Sequence, residues 1–247
     1  MIPHQSEAIV LRTWPVREAD LLVSLFTRDT GKVRGVAKAA LRSRKRFGGA
    51  LEPMTYVRAA YSERPREELV QMDQFEVLAS PLLQSVDYLR AATLAFYAEV
   101  LENVLPDHDP QDTLFRLTLA ALEQTRVDAC WMPLTYFSLW TTRLIGWLPE
   151  TDRCTDCGVR FADDVAYFHV LTDGLSCVRH KKPNSSVLSL DSLALAQRIL
   201  REPIHALAEE AWTRQRAQDL RRFLVRTLER HIERRLNSAA AFTRLGG

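Results

Sequence analysis

The sequence predicts an α+β multidomain chain, with a small β-barrel first, then helices, and a metal knuckle inserted among the helices. Three observations carry that expectation. Residues 6–79 contain five β-prone runs separated by turn residues at short spacing. From Pro81 the apolar period changes to that of helices. Cys154 and Cys157 form a C-x-x-C knuckle, and Cys177 with His180 forms a C-x-x-H knuckle after an ordinary zinc-ribbon spacer.

The β runs are Glu7 to Thr13, Asp20 to Thr27, Lys32 to Lys38, Leu51 to Tyr61 and Glu67 to Leu78. In the second, Leu21, Val23 and Leu25 alternate with their neighbours, the period-two mark of a strand with one buried face. Asp29-Thr-Gly-Lys32 reads as a turn, and Gly35 invites a bulge or a sharp coil in the third strand. Five such strands fit a closed barrel of the OB type, giving an OB-fold domain at 1–79.

The third strand's period places Lys32, Arg34 and Lys38 on one face and Val33 on the other. The connection after it packs Arg42, Arg44, Lys45 and Arg46 together beside Phe47, with Gly48 and Gly49 behind and Asp29 as the opposing local acid. Cations in this arrangement attract phosphates by counterion release, and Phe47 is placed to stack on a base. A solvated charge run that merely keeps a loop in water is the competing reading.

The helical domain is expected at 80–247. One long helix is expected between Pro81 and Pro106, a second capped by Asp112, and a third from Trp131 or Pro133 to Ile145. Segments Leu188 to Leu200 and Pro203 to Trp212 follow, then a final helix from Thr213 to Leu236. Its buried stripe is Leu220, Phe223, Leu224, Leu228, Ile232 and Leu236. The other faces carry eight arginines (at 214, 216, 221, 222, 226, 230, 234 and 235), a second nucleic-acid surface or a solvated face. Ala239 to Gly247 reads as a loose tail. The aromatics Trp131, Tyr136, Phe137, Trp140 and Trp147 read as bundle core before partner groove.

In the insertion, 151–183, two knuckles let four ligands close a tetrahedron. No position is left open for water, so Cys154, Cys157, Cys177 and His180 point to one structural Zn²⁺. His169 is the rival fourth ligand, and Cys130 reads as a buried small hydrophobe. Gly158 and Gly174 suit turns with positive φ, and Val165 to Val170 is expected to form a hairpin between the knuckles.

A net charge of +2 says little about partners until its distribution is known. The longest apolar runs are too short to cross a bilayer, and the N-terminus MIPHQSEAIV lacks a basic segment followed by an apolar one. A cytoplasmic protein without membrane contact is therefore expected. P-loop, dinucleotide and H-E-x-x-H motifs are absent. His231-Ile-Glu233 lies far along the chain from the knuckles, and neither Cys154 nor Cys177 follows a proline as a zinc deaminase requires. No catalytic residue and no small-molecule substrate are expected.

Glu7-Ala-Ile-Val-Leu-Arg12, Glu18-Ala-Asp-Leu-Leu22, Leu25-Phe-Thr27, Gly31-Lys32, Gly35-Val-Ala-Lys38, Arg46-Phe47 and Leu51-Glu-Pro53 strongly resemble the RecO family of bacterial DNA repair proteins. The resemblance continues through the helices to the knuckles. It implies a recombination mediator of the RecF-pathway type that binds single- and double-stranded DNA and anneals complementary strands. It also implies work with RecR to load RecA on DNA coated by single-strand binding protein (SSB), in the cytoplasm at the nucleoid. The implied basic barrel surface falls at Lys32, Arg34, Lys38 and Arg42 to Arg46, and the implied zinc ligands at Cys154, Cys157, Cys177 and His180. The family also binds the acidic, apolar C-terminal tail of SSB in its helical region. The competing classes are a zinc-dependent, nuclease-like enzyme and an RNA-binding OB module.

Overall fold

The computed structural model describes residues 1–65, 67–161 and 164–244. Five strands close a ring in the order β1-β2-β3-β5-β4. They are β1 (Ile2–Pro15), β2 (Leu21–Thr27), β3 (Gly31–Ala37), β4 (Tyr56–Glu63) and β5 (Val70–Ala79). β1 is longer than its apolar run predicts because it serves two partners. Ile2 to Ile9 pair with β4, Ala8 to Pro15 pair with β2, and the register against β2 shifts between Val10 and Arg12. The ring closes through a parallel seam of three residue pairs between β3 and β5. Gly35 makes no bulge there: it stays in register, and a Cβ on it would lie 2.4 Å from the Val70 carbonyl oxygen. It is a glycine because β5 approaches so closely.

The run Ala8-Ile-Val-Leu11 is apolar at every position because both its faces are covered. Ala8 and Val10 join Leu21, Val23, Leu25 and Val33 inside the barrel. Ile9, Leu11 and Phe26 point outward and join the helical core, where Phe26 meets the edge of Phe115 at 5.2 Å.

Helices α2 (Tyr88–Val104), α3 (Asp112–Gln124) and α4 (Trp131–Leu144) follow. The expected single helix from Pro81 is broken. Pro81–Leu83 is a 3₁₀ turn, and Asp87 starts α2 by accepting the Arg90 N–H at 2.7 Å. Asp112 is the first residue of α3 and not its cap. Cys130 is fully buried, and burial pushes its thiol up to about 11. Tyr136 and Phe137 are core residues.

β6 (Ala166–Phe168) lies between the knuckles, and beyond the second come β7 (Ser186–Leu188), α5 (Leu190–Ile199), α6 (Ile204–Ala208), α7 (Gln218–Ile232) and α8 (Ala239–Arg244). β6 pairs with β7, downstream of both knuckles, so the hairpin expected between them does not form. A single bridge from Tyr167 to Ser176 is what remains of it. α7 is shorter than its periodicity suggests because the chain enters it through a left-handed turn at Ala217. The expected loose tail instead forms α8, with Phe242 against Phe96 and Trp131; residues 245–247 lie outside the described residues. Among the described residues, no helix is long and apolar enough to cross a membrane.

Candidate functional site

The basic residues of the barrel divide into two groups. On β3, Lys32 and Arg34 do share a face opposite Val33, but the helical domain covers that face. Lys32 is 5% exposed and donates to the carbonyls of Glu102 (3.1 Å) and Leu105 (2.7 Å), with Asp107 at 3.3 Å. It thus caps the C-terminal end of α2, where a cation is favoured by the helix dipole. Arg34 donates to Glu102 at 2.9 Å, and Ser24 donates to the same carboxylate at 2.6 Å. Lys32 is therefore withdrawn from the surface the sequence proposed, and Arg34 is half-occupied.

Phe47 is withdrawn too. It is 2% exposed and meets the edge of Phe75 at 5.4 Å inside the barrel. Stacking on a base would require it to leave that core. Its role is to pin the loop: a 3₁₀ turn (Ala40–Arg42) runs into the single helical turn α1 (Arg44–Phe47), which Phe47 anchors from below.

The cations around that anchor stay outside. Lys38, Arg42, Arg44 and Lys45 are exposed and Arg46 is half-buried. Arg46 lies over the Phe47 ring and donates to Ser43 Oγ and to the Lys38 carbonyl, so part of its work is holding the loop. Glu18 accepts from Arg42 at 2.8 Å in an exposed pair that a phosphate can break. Asp29, the acid expected to oppose the patch, is bonded to Ser6 instead.

Two contributions escaped the sequence reading. The β1–β2 loop docks on the basic loop, through Leu41 N–H to the Ala19 carbonyl and Ala39 N–H to Asp20, which brings exposed Arg17 to the same barrel end. Arg12 stacks on Trp14 at 4.9 Å. A tryptophan flanked by arginines at 12 and 17 was the available signal.

The knuckles do converge. One ligand atom each from Cys154, Cys157, Cys177 and His180 lie within 4.8 Å of one another. Cys157 and Cys177 sulfurs are 3.9 Å apart, and His180 Nδ1 is 3.3 Å from Cys177 Sγ and 3.8 Å from Cys154 Sγ. A tetrahedral ion with ordinary Zn–S and Zn–N bonds sets its ligands roughly 3.5–3.8 Å apart, so the donor set fits such an ion. The backbone prepares it. Cys154 N–H donates to Val159, Gly158 N–H returns to Cys154, and Thr155 N–H donates to Leu175, lacing one knuckle to the other. Gly158 and Gly174 both take positive φ, and a Cβ on Gly174 would lie 2.1 Å from Thr155 Oγ1. Burial alone would raise the Cys154 thiol, but the amides of Cys177, Cys157 and Asp156 outweigh it and hold it below its ordinary value. For Cys157, the Val159 amide opposes a rise, but burial and the neighbouring sulfurs prevail. Three crowded sulfurs need a cation before all can ionise. His169 lies outside the cluster and accepts the Leu171 N–H.

The arginines of the C-terminal segment do not form one face. Arg216 pairs with Glu210, Arg230 with Asp173 of the knuckle segment, and Arg226 with Glu229. Arg221 is buried over the Trp131 ring at 4.7 Å, and its acceptors are Thr135 Oγ1 and the carbonyls of Arg216 and Arg214. Burial pulls its guanidinium down to about 10. Around it opens a cleft of about 1070 Å³ between α4, α7 and α8, with Phe96 and Trp131 on its apolar side and Arg222 and Arg226 on its basic side.

Residues 1–81 match the model of the recombination protein O N-terminal domain, and residues 85–240 that of the recombination protein O C-terminal domain. The chain belongs to the RecO family. It is 54% identical to the DNA repair protein RecO of Koribacter versatilis over 98% of each chain. It is 31% identical to that of Anaeromyxobacter sp. (strain K) over 96% of this chain and 95% of the relative. To the RecO of Bifidobacterium adolescentis it is 33% identical, over 77% of this chain and 78% of the relative. Family membership places the chain in DNA repair and makes its exposed cations candidates for DNA contact.

Proposed function

We propose that this chain is a recombination mediator that binds single- and double-stranded DNA, anneals complementary strands and, with RecR, helps RecA load on SSB-coated DNA. The observation that carries the reading is the near full-length similarity to a curated DNA repair protein RecO. The geometry supports it. Lys38, Arg42, Arg44 and Lys45, joined by Arg17, ring one end of the barrel on a loop anchored by Phe47. Phosphates of two strands bound there in turn would repel one another less, and base pairing would then do the sequence reading. No bond-breaking step is required, and the mediator is not an enzyme in this reading.

The four-ligand cluster holds one structural Zn²⁺ in the same reading. When bound, the ion supplies only a cross-link between the two knuckles. The cleft around Arg221 suits the acidic, apolar tail of SSB, because it offers aromatic surface beside arginines that lack a full set of carboxylates.

Annealing of complementary oligonucleotides coated with cognate SSB, without ATP, tests the proposal. Acceleration by the protein is expected. No acceleration with DNA binding intact would reduce it to a DNA-binding module, and no DNA binding at low salt would overturn it. Preferential binding of RNA over single-stranded DNA would favour the RNA-binding OB module instead, and product formed from labelled DNA with Mg²⁺ or Zn²⁺ the nuclease-like enzyme.

A further inference from the structure

Helix α8 walls one side of the arginine-lined cleft, through Ala239, Ala240 and Phe242. Phe242 sits on the apolar side, 5.6 Å from the Phe96 ring and 6.2 Å from the Trp131 ring. The segment Ala239-Ala-Ala-Phe-Thr-Arg244 carries no carboxylate. It therefore brings no counter-charge to Arg221, Arg222 and Arg226 on the basic side. The acids that line the cleft are already engaged: Asp219 accepts from the Ser189 N–H and the Ser192 hydroxyl, and Glu229 from Arg226 and the Leu236 N–H. Arg221 itself is served by a hydroxyl and carbonyls alone.

The polar hold on α8 is concentrated in two residues. Glu99 on α2 accepts from the N–H groups of Asn237 (2.9 Å) and Ser238 (2.8 Å) and from the Ser238 hydroxyl (2.5 Å). Arg214 donates to the Phe242 carbonyl at 3.4 Å. A six-residue helix has no independent stability, so it exists while these contacts and Phe242 hold it.

We propose that α8 is a strap over the cleft's apolar side, an autoinhibitory cover on Phe96 and Trp131 that is displaced by an acidic peptide ending in an apolar side chain. Such a peptide satisfies both sides of the cleft, whereas α8 satisfies one. The inference rests on the cleft being the peptide site proposed above. With the strap in place, the site's affinity is reduced by the fraction of molecules in which it is released.

The test uses the full chain and a short fluorescent peptide carrying several aspartates and a C-terminal phenylalanine. Phe242→Ala and Glu99→Ala each free the strap from a different contact and are expected to bind the peptide about tenfold more tightly than the wild type. In the wild type, hydrogen exchange over residues 237–242 is expected to rise on peptide addition. Unchanged or weaker binding in both variants, or slower exchange over that segment, would make α8 a fixed wall and overturn the strap. If the wild type and both variants all ignore the peptide, the cleft assignment itself is overturned and the strap with it.

Discussion

Strand β3 and the loop that follows it carry the same kind of charge and meet opposite fates. On β3, Lys32 and Arg34 are spent inside the molecule, on the end of α2 and on Glu102. A few residues later, Lys38, Arg44 and Lys45 are left to water. Nothing in the side chains distinguishes the two groups. What differs is whether the outer face of the barrel at that point is covered by the helical domain. A basic run is therefore a candidate surface only once it is known what the same face packs against.

Exchanging the roles of the two groups tests that contrast. The largest effect is expected from Phe47→Ala, which empties a core position and should cost about 3–5 kcal/mol of stability. Chemical denaturation would measure it. If the folded fraction also lost its DNA affinity while the loop's exchange protection stayed normal, Phe47 would be a stacking residue after all. Next comes the triple replacement of Lys38, Arg44 and Lys45 by Ala. Single-stranded DNA affinity should fall about a hundredfold near 0.1 M salt, with the log–log salt slope shallower by roughly 0.7 per lost contact. Melting should be unaffected. An unchanged salt slope in a titration at several salt concentrations would remove the loop from the interface.

Lys32→Ala should do the reverse. Losing a buried, charge-assisted cap should cost about 2 kcal/mol, or roughly 4–8 °C in Tm for a chain of this size, with the salt slope intact. A changed slope would return Lys32 to the DNA surface. The smallest effect is expected at Arg28, which bridges Glu7 and Asp112 across the same domain boundary but in solvent. Its hydrogen bond holds the Asp112 carboxyl below its ordinary range. A depressed carboxyl contributes stability above its unfolded pKa of about 4, which is lost as pH falls through the lower folded value. Arg28→Ala should thus shift Tm barely at neutral pH and not at all once the pH lies below that lowered value. A large shift at either pH would mean that exposed ion pairs, and not the Lys32 cap, join the two domains.

How legible all this was depends on the range of the contact involved. The interior of β2 follows from Leu21, Val23 and Leu25 alone, because alternation is a local signal. The convergence of Cys154, Cys157, Cys177 and His180 follows from knuckle spacing, since each pair is fixed by one tight turn. Lys32 could not be read the same way, because its acceptors lie seventy and seventy-three residues further on. α8 was invisible for a related reason: its helix depends on Phe242 reaching Phe96 and Trp131, a tertiary fact that overrides weak local propensity. The start of α2 was legible in principle, since Asp87 precedes the apolar period as an N-cap should, but hydrophobic residues on both sides of it hid the boundary. β6 pairs with β7 across the second knuckle, and three-residue strands leave no periodicity from which to choose a partner.

The three-pair seam between β3 and β5 also bears on how the chain reaches this shape. The β2–β3 and β4–β5 hairpins are sequence neighbours and can zip early. The seam joins residues 35–37 to 70–72 and has the fewest pairs of any join in the ring. Until it forms, β3 and β5 are open edges, the state in which nascent sheets pair with the wrong chain. Gly35 is thus a gate on the kinetics of closure. Gly35→Ala, by pushing against the Val70 carbonyl, should slow refolding and raise the yield of aggregate, whereas equal refolding rates in stopped-flow would move the slow step elsewhere.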